Sequence, residues 1–248
     1  MQYTIVDIET RIDKTLVQAI YFPHEEISEE NAYLQVRQRL QEEQGNDFFP
    51  LSLHTPISIA VGQVNEERVL TAVETINENT YSEEAIVRTF WQRLERFHGT
   101  LITFNGRNFD LPVLELQALK YGCQAPRYFA GKSRYRYSEE GHYDLYDFLT
   151  NYGVHRLRGG FHILAKLIGL PGKTAIDGSK VQQLWEAGHL QAIARYCRHD
   201  VIQTYFLFLR VELLRGRFTV EQYEHALSQT TRFREEIEKS VKAEDKDG

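Results

Sequence analysis

Three short segments, far apart in the chain, place acidic residues where two metal ions could be held: Val6-Asp7-Ile8-Glu9-Thr10, Asn105-Gly106-Arg107-Asn108-Phe109-Asp110 and Tyr196-Cys197-Arg198-His199-Asp200. The first ends an apolar run from Tyr3 to Ile8 that reads as a strand. Side chains alternate along a strand, so Asp7 and Glu9 project from one face while Ile8 points into the protein. The third segment lies in a helical pattern, where Tyr196 and Asp200, four apart, are neighbours on one face. Four such carboxylates repel one another unless cations intervene. Hard divalent ions with oxygen ligands remove that repulsion, and a pair of them is the usual apparatus for cutting phosphodiesters.

None of the three segments carries this reading alone. In a chain this acidic about one Asp-x-Glu is expected by chance, and Tyr143 with Asp147 repeats the Tyr-x-x-x-Asp spacing outside the long helix. Order and spelling together are more specific. They resemble the metal-dependent 3′ to 5′ exonucleases called DEDD, and more closely the proofreading exonuclease domain of family-B DNA polymerases and the stand-alone exonucleases related to it. The resemblance runs from about residue 3 to 210, and the middle segment carries most of it: Phe104-Asn105, then Phe109-Asp110-Leu111-Pro112-Val113-Leu114.

The resemblance implies Asp7, Glu9, Asp110 and Asp200 as the metal-site carboxylates for two Mg²⁺ or Mn²⁺ ions, and Tyr196 as the tyrosine of the DEDDy branch. The sister branch has a histidine five residues before its last aspartate. Here that position is Arg195, and His199 has the wrong spacing. An RNase H-like α/β fold follows, with a central mixed five-stranded sheet flanked by helices. The implied reaction is hydrolysis at the 3′ end of single-stranded nucleic acid, DNA favoured, with a polymerase or a repair or helicase protein as a partner. A binding module that has lost catalysis, an RNA-trimming relative and an endonuclease are the alternatives. Asn105 and Phe109 are expected to line the terminal-nucleotide pocket.

The elements that must position these groups follow from periodicity. Ile57 to Val64 and Val69 to Val73 read as a hairpin turning at Asn65-Glu66-Glu67-Arg68. Ser82 opens a helix with Ala85, Ile86, Phe90, Leu94 and Phe97 on one side, ending near Gly99. Thr100 to Phe104 is the strand that delivers Asn105 and Asp110 at its carboxyl end, and a helix from Leu111 to Tyr121 tolerates Pro112 in its first turn. His142-Tyr143-Asp144-Leu145 reads as a short buried strand opening onto a helix; a similar His-x-Asp-Leu occurs in the related exonucleases, which makes Asp144 site-proximal or structural. Zinc at His142, Asp144 and His155 lacks a further well-spaced ligand. A helix over Phe161 to Leu167 precedes the Gly169-to-Lys173 break, and Lys173 and Ser179 beyond it are candidate backbone contacts. The motif-bearing helix runs from about His189 to Arg215 with an apolar stripe at Leu190, Ile193, Ala194, Cys197, Val201, Tyr205 and Phe208. Thr219 and Gln222 form a capping box for a last helix.

Two segments have open readings. Residues 21–55 interrupt the sheet with a polar helix from Ser28 to about Gln44, its Ala32, Val36 and Leu40 on one side; this is either a flap beside Asp7 or a surface insertion. Residues 127–137, with Arg134 and Arg136 among four cations and four aromatic rings, are either a single-strand contact or a solvated loop. Composition bounds the rest. With 248 residues and a net charge of −6, the chain has room for a single domain over 1–235 and lacks the basic excess that salt-driven coating of nucleic acid requires. The charged residues 236–248 are expected to form a disordered tail. Neither an apolar run near 18 residues nor a signal peptide is visible, and two cysteines, Cys123 and Cys197, are read as buried thiols, so a cytoplasmic setting without membrane contact is expected.

Overall fold

The computed structural model describes residues 2–76, 81–172 and 180–247. Five strands form one sheet: β1 (Gln2–Ile12), β2 (His54–Val64), β3 (Leu70–Thr75), β4 (Gly99–Thr103) and β5 (His142–Asp144). Their order is β3-β2-β1-β4-β5. The first three form an antiparallel meander, and β4 and β5 run parallel to β1. The helices are α1 (Lys14–Tyr21), α2 (Glu29–Gln44), α3 (Glu83–Arg96), α4 (Asp110–Lys120), α5 (Pro126–Ala130), α6 (Leu145–Leu149), α7 (Gly160–Leu167), α8 (Val181–Glu186), α9 (Leu190–Leu214), α10 (Val220–Gln229) and α11 (Thr231–Asp247).

The parity of β1 sorts the two faces of the sheet. Val6 and Ile8 join Ile59 and Leu101 beneath α3 and α4, packing with Phe90, Trp91, Leu111 and Leu114. Ile5 faces the other way with Ala60 and Ile102, against Cys197, Val201, Tyr205 and Phe208 of α9. Asp7 and Glu9 continue the Ile5 side. Small residues on β2 let α9 approach closely: a Cβ built on Gly62 would lie 2.8 Å from Val201 Cγ1, 3.2 Å from Leu70 Cδ1 and 3.5 Å from Ile5 Cβ. Valine is stiff in a helix and the neighbours are core residues, so Gly62→Ala is expected to cost about 1–3 kcal/mol by overpacking, read as a lower urea midpoint with unchanged slope.

Two regions differ from the sequence reading. The segment beyond 235 is not a loose tail. It continues α11, where Phe233 and Ile237, four apart, reach the α9 core and charged residues occupy the outer positions. Glu236 pairs with Arg198 at 3.0 Å, and Ser240 Oγ lies 3.2 Å from His199 Nε2. A boundary at 235/236 would cut a packed helix, and this cover is why residues 201–209 of α9 are buried all round rather than along one stripe. The insertion also begins earlier than residue 21. Asp13 caps α1 by accepting the Leu16 N–H at 3.1 Å, and α1 packs on α2 around Val17, Ala32, Tyr33, Val36, Leu40, Phe49 and Leu53, a small core joined to β1 through Ile12. Cys197 is buried, whereas Cys123 is only partly covered.

Candidate active site

The site lies where β1 outruns its parallel neighbour. β4 pairs with β1 only from Gln2 to Ile5, so the backbone beyond needs other partners on that side. Asp110, the first residue of α4, supplies one: its Oδ1 accepts the Ile8 N–H at 3.1 Å. On the β2 side the pairing slips just past Glu9. Glu9 faces Ser58 and Thr10 faces Pro56, leaving Ile57 as the extra residue of a bulge. Bulges beside active sites re-aim side chains; here Ile57 packs with Tyr196, Ile193 and Val181.

Asp7, Glu9 and Asp200 each present an oxygen within 4.8 Å of the others. They are the one group of three or more potential metal-binding side chains of the His, Cys, Asp and Glu types among the described residues. Asp110 is not within that group but acts on it electrostatically. Burial holds the Asp7 carboxyl well above its ordinary range, and the charges of Asp110, Asp200 and Glu9 push it further, against a hydrogen bond from Cys197. Burial likewise raises Asp110 to about 7, offset by backbone N–H groups and reinforced by Asp144 and Asp200. The charges acting most on Asp7 are thus all negative, and every donor is a hard carboxylate oxygen. That set fits Mg²⁺ or Mn²⁺, which prefer oxygen ligands, better than a soft metal.

Tyr196 is buried and hydrogen-bonds Asp200. Burial first, then Asp200, Glu9 and Asp7, drive its phenol far above the ordinary value, so it is a proton donor at neutral pH and not a base. Cys197 has a role that its apolar-stripe position hides: its thiol reaches the Asp7 backbone oxygen at 3.3 Å and Asp7 Oδ2 at 3.6 Å. Burial and the neighbouring carboxylates push this thiol well up, keeping it protonated.

The loop between β4 and α4 is held by Asp144. Its Oδ1 accepts the N–H of Asn105 at 2.8 Å and of Tyr146 at 2.9 Å, and its Oδ2 accepts the Arg107 N–H at 2.8 Å. Asn105 takes a left-handed φ of 65° and accepts a bond from Asn108 Nδ2 at 2.8 Å. Gly106 leaves no room for a Cβ, which would meet Thr103 at 2.5 Å. Phe109 precedes α4 and meets His54 edge-on at 5.2 Å between ring centroids.

The structure gives Arg134 and Arg136 protein partners. Arg134 pairs with Glu115 at 3.2 Å and lies over Phe129, and Arg136 forks onto Asp147 Oδ1 at 2.6 and 3.0 Å. Their neighbours Arg127 and Lys132 are bonded to Glu95 and Glu140. Sequence could not show this, because each partner is distant or loop-borne. No zinc cluster forms around His142 among the described residues. Burial, then Arg107, lower its imidazole to about 3, it lies 2.8 Å from Thr103 Oγ1, and His155 is exposed. Lys173 and Ser179 lie outside the described residues.

The strand order, with helices on both faces, defines an RNase H-like α/β fold carrying an acidic cluster at the end of its central strand. A solved family B DNA polymerase from the hyperthermophilic archaeon Pyrobaculum calidifontis shares this fold, with a TM-score of 0.54 and 16% identity over 86% of this chain; the chain spans 24% of that polymerase. The chain belongs to the family described as predicted 3′-5′ exonuclease related to the exonuclease domain of PolB, which it matches over residues 46–245, including Asp110, Tyr196 and Asp200. No curated protein matches it. No helix among the described residues is long and apolar enough to cross a membrane.

Proposed function

We infer that this chain is a DEDDy 3′ to 5′ exonuclease that removes terminal nucleotides from single-stranded nucleic acid and releases nucleoside 5′-monophosphates. The observation that carries this reading is the convergence of Asp7, Glu9 and Asp200 within 4.8 Å, with Asp110 alongside. DNA is the favoured substrate because the related exonuclease domain belongs to a DNA polymerase. Asp7, Glu9 and Asp200 would hold one divalent cation, and Asp7 with Asp110 a second. When bound, such ions neutralise the phosphate and lower the pKa of water.

The chain itself supplies orientation. Tyr196, protonated and donating its one O–H to Asp200, would accept a hydrogen bond from the attacking water at its phenol oxygen and so position it. Cys197 fixes the Asp7 carboxylate, and the Asp110 bond to Ile8 N–H fixes α4 against β1. Asn105 and Phe109 hold the terminal nucleotide. Arg134 and Arg136 pair with Glu115 and Asp147 but leave 57% and 39% of their side chains exposed, and would reach the substrate backbone by exchanging these partners for phosphate.

The test is digestion of 5′-labelled single-stranded DNA and RNA with Mg²⁺, Mn²⁺ or EDTA. The expected result is a metal-dependent ladder shortening from the 3′ end, with circular single strands resistant. Tyr196→Phe is expected to lower kcat by up to about a hundredfold with little change in KM, since it removes a positioning hydroxyl and leaves the ring packed. Cleavage of circles would make the enzyme an endonuclease, and no cleavage by folded protein would leave a binding module.

A further inference from the structure

An exposed phenylalanine from the insertion stands at the edge of this site. Phe48 leaves 52% of its surface to solvent, yet its ring lies 5.8 Å from Phe109 and 5.1 Å from His54. With the 5.2 Å contact between His54 and Phe109, the three rings form a closed triangle. Phe109 is next to Asp110. His54 Nδ1 lies 2.9 Å from Thr10 Oγ1, and Thr10 follows Glu9. The triangle therefore joins the two segments that carry metal-site carboxylates.

The backbone on either side of the Phe48 ring is tied down. The Phe48 N–H bonds Asn46 Oδ1 at 3.0 Å, and Phe49 beside it is buried and stacked on Tyr33 at 5.3 Å with planes 7° apart. The next turn is fixed by Gln117 Nε2, which donates to His54 O at 2.8 Å, and by His54 Nε2, 3.2 Å from Phe49 O. A half-exposed phenyl ring on a backbone so restrained is suited to receive a flat apolar surface with little loss of backbone entropy. At the edge of a site that cuts nucleic acid, that surface is a nucleobase. Stacking on an aromatic ring needs no cation, and none is placed in the triangle.

We propose that Phe48 and Phe109 form a nucleobase subsite that packs against the 3′-terminal base of the strand being trimmed, so that the insertion is part of the substrate-binding surface. This rests on the exonuclease reading above. The experiment compares a 5′-labelled single-stranded DNA with the same strand ending in an abasic 3′ residue. Wild type is expected to prefer the base-bearing end by about fivefold or more in kcat/KM. Phe48→Ala is expected to lose most of that preference, and Phe48→Tyr to keep it. In the Asp7→Asn background, used to read binding without turnover, a 3′-terminal 2-aminopurine is expected to be quenched, and Phe48→Ala to relieve the quenching. Equal abasic discrimination by wild type and Phe48→Ala, or quenching indifferent to residue 48, overturns the subsite. Failure of wild type to trim either strand overturns the exonuclease reading first, and is distinguished by occurring on the unmodified DNA.

Discussion

Asp7→Asn is expected to abolish trimming, with a loss of at least about a thousandfold in kcat, while raising the melting temperature of the metal-free protein. Both effects have one cause. Asp7 is placed among Asp110, Asp200 and Glu9, and burial and these three charges act together to disfavour its ionised form. Asparagine keeps the size and most of the hydrogen-bonding capacity of the side chain but removes one charge. The gain is about 1–2 kcal/mol at pH 8, or roughly 2–8 °C for a chain of this length. In wild type a bound cation is expected to relieve the cluster: Mg²⁺ at a hundred times its dissociation constant would add about 2.7 kcal/mol. Asp7→Asn is expected to show little of that thermal shift. A variant that remains inactive but still shifts with Mg²⁺ as wild type does would remove Asp7 from the cation site. A variant with wild-type trimming would remove it from catalysis.

The same burial, reinforced by repulsion, sets a pH dependence whose sign is opposite to that of ordinary paired carboxylates. Asp110 is at about 7 in the folded protein against an ordinary 3.8, and Asp7 is shifted in the same direction. Between about pH 4 and pH 7 the folded state therefore holds more protons than the unfolded chain, so stability falls as pH rises. The contribution is fully present below pH 4 and lost by about pH 7. Melting of EDTA-treated protein from pH 5 to 8 is expected to show a smaller decline in Asp110→Asn than in wild type, and the difference between the two isolates this group. Saturating Mg²⁺ is expected to flatten the wild-type slope, because cation replaces protons at the carboxylates.

How much of this was legible in sequence depended on whether a group's partners were local. The face shared by Asp7 and Glu9, the Tyr196 and Asp200 pair, the 57–73 hairpin and the Thr219 capping box all rest on spacings of two to four residues or on turn chemistry, and each is found in the structure. Helix α1 was missed because it is short: eight residues give only about two turns of periodicity directly after a strand, although its apolar side is well defined and Asp13 caps it. Helix α11 was mistaken for a tail because charge dominates its composition; two apolar residues four apart, Phe233 and Ile237, were the available signal. The Cys197 thiol on Asp7, the Phe48 contact with Phe109 and the Arg136 fork on Asp147 join distant or loop-borne residues, and no period in the sequence encodes them. Asp144 could be singled out by resemblance, but its role became definite only when the loop it grips was placed.

That role yields the second large effect. Asp144→Ala is expected to destabilise the fold by about 3 kcal/mol or more and to lower kcat by about a hundredfold at temperatures where the variant remains folded. The side chain is buried and accepts N–H groups from both sides: Asn105 and Arg107 of the site loop, Tyr146 at the start of α6, and a weaker one from Asp147 at 3.5 Å. Alanine leaves these donors without an acceptor in a region with little access to water, and such groups cost about 1–3 kcal/mol each. Asn105 is also held at a positive φ, which asparagine tolerates better than other non-glycine residues but does not favour over the extended region, so without the Asp144 clamp the loop is free to leave that conformation. Asp110 lies five residues on and moves with it. Asp144→Asn separates the clamp from the charge. Its carbonyl can replace Oδ1, which serves Asn105, Tyr146 and Asp147, while its amide faces the Arg107 N–H that Oδ2 accepted. The asparagine variant is therefore expected to melt between wild type and Asp144→Ala, and its kcat to fall less than that of the alanine variant. Since the Asp144 charge also raises Asp110, removing it is expected to shift the stability decline assigned to Asp110 to lower pH. Urea unfolding and trimming rates measured on the two variants decide the matter: a large stability loss with kcat unchanged would mean that the loop finds its catalytic geometry without Asp144.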